Sequence, residues 1–272
     1  MKKILLLCGL GWYSFLFCAY IDNDLDGVDD SVDRCLDTPL SDLVDMSGCS
    51  VTSLLSLHHY DLLIGFEYAN SDYRTLNQTD TLATTFQADY YYKNFSLQVV
   101  GSYFSTDNTT YKDDGFYDTL VSAVYRFETP LAVSLGVGSI LPTYKNDLSN
   151  NKTDFFTTLN CDYTQDKWSF FGTYTYTFIG DDDYNENNLS ISYKNTHTLS
   201  GGVGYYINNR LYSSLSYGWS QSIYEGITPI TTLSLYGYYD ISEEFFCTFS
   251  YTYGLSQSAS DNYFGIRFGY YF

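Results

Sequence analysis

The sequence predicts an all-β protein: a transmembrane, antiparallel, up-and-down β-barrel of about twelve strands, preceded by a short calcium-binding loop module. Three observations predict it. Residues 51–272 alternate apolar and polar side chains with period two. The connections between alternating segments are short and long by turns. The chain carries 31 Tyr, 19 Phe and 3 Trp among 272 residues, yet its mean hydropathy is -0.20. A barrel accounts for both figures, because one side of each strand meets lipid and the other meets water.

Composition removes other classes. Lys and Arg total 13 against 32 Asp and Glu, a formal net charge of -19. A phosphate backbone needs a basic face, so nucleic acid is excluded as a partner. No apolar run of about 18 residues follows the N-terminus, so a helical membrane protein is excluded as well. The aromatic content argues against disorder.

Lys2 and Lys3 precede an apolar run from Ile4 to Ala19. These are the basic and apolar regions of a secretory signal over residues 1–19, with cleavage expected after Ala19. A lipoprotein would need a small residue before Cys18, where Phe17 stands. Export fits the other cysteines. An oxidising compartment permits a bridge between Cys35 and Cys49, worth roughly 3 kcal/mol for a loop of that length. Cys161 and Cys247 stand alone in β-like segments and read as small apolar residues on a buried or lipid-facing surface.

Residues 20–50 form an acidic module. Asp22, Asp24 and Asp26 recur at every second position, Gly27 follows, then Asp30 and Asp33. A hard cation such as Ca²⁺ takes about six to eight oxygens around one point. Alternate carboxylates in a tight loop converge on such a point, Gly27 allows the turn, and the Val28 carbonyl supplies a further oxygen. The pattern D-x-D-x-D-G-x-x-D-x-x-D-x-C resembles the thrombospondin type 3 repeat. That resemblance implies that Asp22, Asp24, Asp26, Asp30 and Asp33 ligate calcium and that Cys35 pairs with Cys49. The family has Pro after each Cys, where this chain has Leu36 and Ser50.

The strands follow in order through residues 51–272. Leu62, Ile64, Phe66 and Tyr68 mark the apolar row of the first, and Leu82, Phe86, Ala88 and Tyr90 that of the second. Phe95, Leu97, Val99 and Tyr103 mark the third; Tyr117, Val121, Ala123 and Tyr125 the fourth. Leu131, Val133, Leu135 and Val137 then alternate with small residues, as do Phe155, Leu159 and Tyr163 with Asp154, Asn160 and Asp162. The second half repeats the pattern. Its rows begin at Trp168, Leu199, Leu211, Leu233 and Phe245, and the last runs Phe264, Ile266, Phe268, Tyr270, Phe272. Each segment holds about ten residues, the length a tilted strand needs to cross a bilayer.

The connections give the orientation. After even-numbered strands the expected turns are short: Lys93-Asn94, Glu128-Thr129, Gln165-Asp166, Asn208-Asn209, and Asp240 to Glu243. After odd-numbered strands they are long and polar, as in Asn70 to Thr79, Leu141 to Lys152 and Gly180 to Lys194. Short periplasmic turns and long outer loops are the pattern of a bacterial outer-membrane barrel. An even strand count returns both ends to the periplasm, which places the calcium module there. The ending Phe268, Tyr270, Phe272 resembles the strand that outer-membrane proteins show to the barrel-assembly machinery. This resemblance is architectural, and the chain is similar to porin-like barrels without a narrower family.

The inward rows are expected to carry Asp61, Glu67, Asp89, Asp118, Arg126, Asp154, Asp162, Lys167, Arg210 and Arg267. The acidic excess favours a narrow, passive channel for small cationic or neutral solutes. The alternative is a non-conducting structural or adhesive barrel presenting polar loops. A hydrolase is the third reading. Barrel phospholipases use His-x-Ser, and here His197 is followed by Thr198 and Leu199. Omptin-like proteases pair Asp with His at the mouth, and Asp181, Asp182, Asp183 and Glu186 share a loop without His. His58 and His59 are expected at the membrane interface. No enzyme is therefore expected; calcium is the one cofactor, and outer-membrane lipid, lipopolysaccharide, the assembly machinery and small solutes are the partners.

Overall fold

The computed structural model describes Val28, residues 34–35, Thr38, residues 43–44, 49–52, 58–72, 78–108, 112–127, Thr129, and residues 131–144, 151–186 and 189–272. The expected signal at 1–19 and the carboxylates Asp22, Asp24, Asp26, Asp30 and Asp33 lie outside the described residues. The chain divides into two units, Met1–Leu54 and Leu55–Phe272.

In the first unit, Cys35 and Cys49 are joined by a disulfide, with Cα atoms 5.1 Å apart. Leu43–Val44, within the loop that the bridge closes, pairs antiparallel with Ser50–Thr52 immediately after Cys49. Thr38 donates both its amide and its hydroxyl to the Cys35 carbonyl, at 3.1 and 2.8 Å.

The second unit is a closed antiparallel barrel of twelve strands. They are β1 His58–Ser71, β2 Thr79–Tyr92, β3 Phe95–Asp107 and β4, in two parts, Lys112–Phe116 and Thr119–Phe127. Next come β5 Ala132–Leu141, β6 Asp154–Gln165, β7 Trp168–Phe178 and β8 Thr196–Asn208. The last four are β9 Leu211–Ser220, β10 Ile230–Asp240, β11 Phe245–Gly254 and β12 Asn262–Tyr271. Every strand pairs with its chain neighbours, and β12 closes on β1 from Asn262↔Asn70 to Tyr271↔Asp61. Closure gives each strand a partner on both edges, which lipid cannot supply.

The burial pattern is inverted relative to a water-soluble domain. Leu62, Phe66, Phe86, Val137, Phe155 and Phe264 stand exposed on the outside, whereas Thr85, Asp89, Ser122, Ser169, Ser214 and Thr248 are buried. Period-two alternation puts these two sets on opposite faces of each strand. Lipid covers the first set and removes its cost. Aromatic pairs edge the outer face near the short turns: Trp168 with Tyr205, Phe245 with Tyr270, and Tyr60 with Phe272. His58 stacks on Tyr90 and Tyr92 within this girdle, and its Nδ1 meets the Tyr90 hydroxyl at 2.7 Å. His197 joins the opposite girdle against Tyr174 and Tyr176.

Two details depart from the sequence reading. The tight turns fall on Asp166-Lys167, Asn209-Arg210 and Ile241–Glu244, one residue later than expected. Lys93 and Asp166 take φ of 50° and 54°, the left-handed conformation that two-residue hairpins demand. The second departure is in β4. Tyr103 faces Phe116 whereas Val100 faces Leu120, so Gly101 and Ser102 oppose three residues, Tyr117, Asp118 and Thr119. This is a β-bulge. It moves Tyr117 off the expected outer row: its ring stacks on the buried, inward Phe104 with centroids 4.3 Å apart.

Candidate functional site

The inner wall of the barrel is the one surface on which the strands converge polar side chains. Strands about 4.8 Å apart and tilted about 40° put twelve of them on a cylinder of roughly 12 Å radius. A long side chain from each wall nearly spans that interior, so where the large residues lie decides whether a path exists.

One side of the wall, β12 with β1 to β3, carries a charged network. Arg267 Nη2 meets Glu67 Oε1 at 2.8 Å, and its Nη1 donates to Gln87 Oε1 at 3.1 Å. Thr85 donates to the same Glu67 oxygen at 2.9 Å. The amides of Gln87 and Gln98 then hold the two oxygens of Asp89, at 2.7 and 2.9 Å. A Cβ on Gly65 would lie 2.7 Å from Arg267 Cγ, so the arginine stem lies flat on the backbone there. Asp61 sits opposite Asp89 in register and bonds the Tyr91 hydroxyl.

The other side, β5 to β11, is built from hydroxyls and amides. Thr175 donates to Thr158 at 3.0 Å, Thr173 to Asn160 at 2.9 Å, and Asn160 to Ser134 at 3.2 Å. Thr198 with Ser220 and Ser234 with Thr252, each 2.8 Å apart, continue the row. Towards the short-turn end this wall becomes aromatic. Tyr206, Tyr212 and Tyr236 follow one another with centroids 4.8 and 6.4 Å apart. Tyr238, Phe246 and Tyr271 continue at 5.5 and 4.4 Å. The hydroxyls of three are tied down: Tyr212 to Ser169 at 2.8 Å, Tyr238 to Tyr271 at 2.6 Å, and Tyr238 to Asp240. Gly204 and Gly269 make room for two of these rings. A Cβ at either would come within 2.0 Å of Tyr212 or Phe246.

The structure sorts the ten expected inward charges. Asp61, Glu67, Asp89, Arg126, Asp162 and Arg267 stand on the inward rows. Asp154 lies on the same phase at the outer rim, where it accepts the Gly180 amide at 2.7 Å. Asp118 sits in the bulge and accepts the Tyr144 amide at 3.0 Å, so it anchors a loop. Lys167 and Arg210 occupy tight turns, because the hairpins turn one residue late. The inward tyrosines were missed by sequence reasoning. For Tyr206, Tyr238 and Tyr271 the signal is the aromatic doublet, since Phe170-Phe171, Tyr205-Tyr206, Tyr238-Tyr239, Phe245-Phe246 and Tyr270-Tyr271 each put one ring outside and one inside, whereas Tyr212 and Tyr236 stand in no doublet.

The outer loops are tied to one another. Tyr193 bridges Tyr224, with Lys194 donating to the Ile223 carbonyl and Glu225 to that of Ser192. Lys152 pairs with Asp182 at 2.6 Å, and the Asp72 amide meets Asp261 at 2.8 Å.

Fold and wall together define a transmembrane β-barrel of the bacterial outer-membrane type. Among solved structures the chain is similar to an outer membrane channel from Pseudomonas putida F1, with a TM-score of 0.66 at 10% identity, over 84% of this chain and 100% of that one. It is also similar to the NanC porin, with a TM-score of 0.50 at 16% identity, over 77% and 97%. At such identities the likeness is one of fold. No family model and no curated relative matches the chain.

Proposed function

We propose that this protein is a narrow, passive outer-membrane channel for small cationic or neutral solutes. One observation carries the reading: a closed barrel whose inner wall is lined with hydroxyls, amides and charges above an aromatic short-turn end. At Gly65, Gly204 and Gly269 the side chains of Arg267, Tyr212 and Phe246 lie close over the backbone of the wall. The acids Asp61 and Asp89, held by neutral side chains, disfavour anions. The test is single-channel recording in planar bilayers, using protein whose gel mobility changes on heating as folded barrels do. Small, steady conductance is expected. A folded barrel that never conducts would overturn the proposal in favour of a structural or adhesive role.

The short turns then face the periplasm, together with the N-terminal module, and the Phe272 end engages the assembly machinery. The donor chemistry of Asp22, Asp24, Asp26, Asp30, Asp33 and the Val28 carbonyl suits calcium, an all-oxygen set with five carboxylates. Titration calorimetry of the whole protein with Ca²⁺ tests this. Heat that vanishes when Asp24 and Asp26 are replaced by Asn is the expected result, and no heat at millimolar Ca²⁺ removes the site.

A further inference from the structure

The aromatic end of the hydroxyl wall holds a cavity of about 530 Å³, bounded among others by Arg126, Asp162, Phe171, Tyr206, Tyr212 and Tyr236. We infer that this cavity is a binding subsite for neutral sugars on their way through the channel. The inference rests on the channel reading for its direction of travel, but the site itself stands on four observations.

The first is charge. Arg126 and Asp162 share the cavity and lie near enough to feel one another, yet among the described residues neither makes an ion pair. A simple cation gains at Asp162 what it loses at Arg126, and an anion meets the reverse. A neutral ligand with paired hydroxyls satisfies both, giving its donors to the carboxylate and its acceptors to the guanidinium fork.

The second is ring presentation. The Tyr212 hydroxyl is held by Ser169, and the ring rests over Gly204. Its face is thereby held along the wall, which lowers the entropic cost of binding, and the rings of Tyr206 and Tyr236 flank it with centroids 4.8 and 6.4 Å away. Sugar rings carry C–H faces that pack on such panels while their hydroxyls point sideways. The third is the approach. Between the rim carboxylate of Asp154 and the cavity, this wall offers Thr, Ser and Asn side chains already bonded to one another, with the Glu67–Arg267–Gln87–Asp89 network on the opposite wall. A polyhydroxylated solute exchanges hydrogen bonds with such a row stepwise and meets no fixed charge to trap it. The fourth is size, since the volume lies in the range of small-molecule sites.

The experiment is calorimetry of the detergent-solubilised barrel with maltotriose, paired with current block by the same sugar in planar bilayers. Binding is expected, and Tyr236→Leu and Arg126→Gln should each weaken it about tenfold, the worth of one charged hydrogen bond or one stacked face. Tyr236→Phe should retain it, and Tyr217→Leu, on the lipid side, should leave it unchanged. Should Tyr236→Leu fail to fold, Arg126→Gln carries the same test. Sugar heat in a barrel that does not conduct would uphold the subsite and overturn passage. Three results would overturn the subsite: no sugar binding to a conducting barrel, binding that ignores both variants, or Tyr236-dependent binding of phenylalanine or tetramethylammonium in place of the sugar.

Discussion

Arg267 and Glu67 project from adjacent strands, and each has a second hold on the wall, through Gln87 and Thr85. The arginine side chain keeps 33% of its surface and the glutamate 15%. Arg267→Met removes the cation but leaves the carboxylate with the hydroxyls of Thr85 and Tyr263. The cost should fall below that of a fully buried pair, about 2 kcal/mol, read from urea unfolding in lipid vesicles. Adding Glu67→Gln should recover much of it, since no charge is then stranded; equal losses in the single and double variants would contradict this account. Gly269 makes a different point. Its missing Cβ is the space in which the Phe246 ring lies. Gly269→Leu should tilt that ring into the lumen and lower conductance, while the folded gel mobility persists. An unchanged conductance would mean that the ring does not limit the path.

At the scale of the strand, the bulge in β4 has a sharp consequence. Asp118 is the extra residue, with Phe116 and Thr119 outside and Tyr117 and Leu120 inside. Deleting Asp118 therefore joins the two halves of β4 in one register with alternation intact. Deleting Ser122, in the regular part, throws every residue on one side of it onto the wrong face. The expected outcome is a folded, heat-modifiable barrel for the first deletion and none for the second. The bulge was invisible in the sequence, because an inserted residue merely shifts a binary pattern by one, and Tyr117 suits either face. The strands themselves were legible, since lipid punishes a charge on the outer row and leaves the alternation clean. Turn positions were less so. Gln165, Asp166 and Lys167 are all polar, and only the left-handed φ at Asp166 fixes where the chain reverses.

For the whole molecule, the lumen divides lengthwise into a charged wall, a hydroxyl wall and an aromatic base. Its charges were readable from the sequence wherever they fell on a strand's polar phase, as with Glu67 and Arg267. They were misread at strand ends, where Asp118, Lys167 and Arg210 serve loops and turns. The aromatic base was unreadable by alternation alone, because a doublet such as Tyr205-Tyr206 satisfies both phases and its inner ring hides behind its outer one. The same asymmetry would give the proposed channel a preference among ions. At the short-turn mouth Asp61, Asp89 and Asp240 are held by Tyr91, Gln87, Gln98 and Tyr238, neutral groups that leave the negative field uncancelled. A KCl gradient should give a reversal potential of the cation-selective sign. The preference should shrink between about 0.1 and 1 M salt, as the Debye length falls from roughly 10 Å to 3 Å and the mouth is screened. Asp61→Asn with Asp240→Asn should move the reversal potential towards zero at low salt and change little at high salt. An anion-selective wild type, or a preference indifferent to those two residues, would place the controlling charge elsewhere in the barrel.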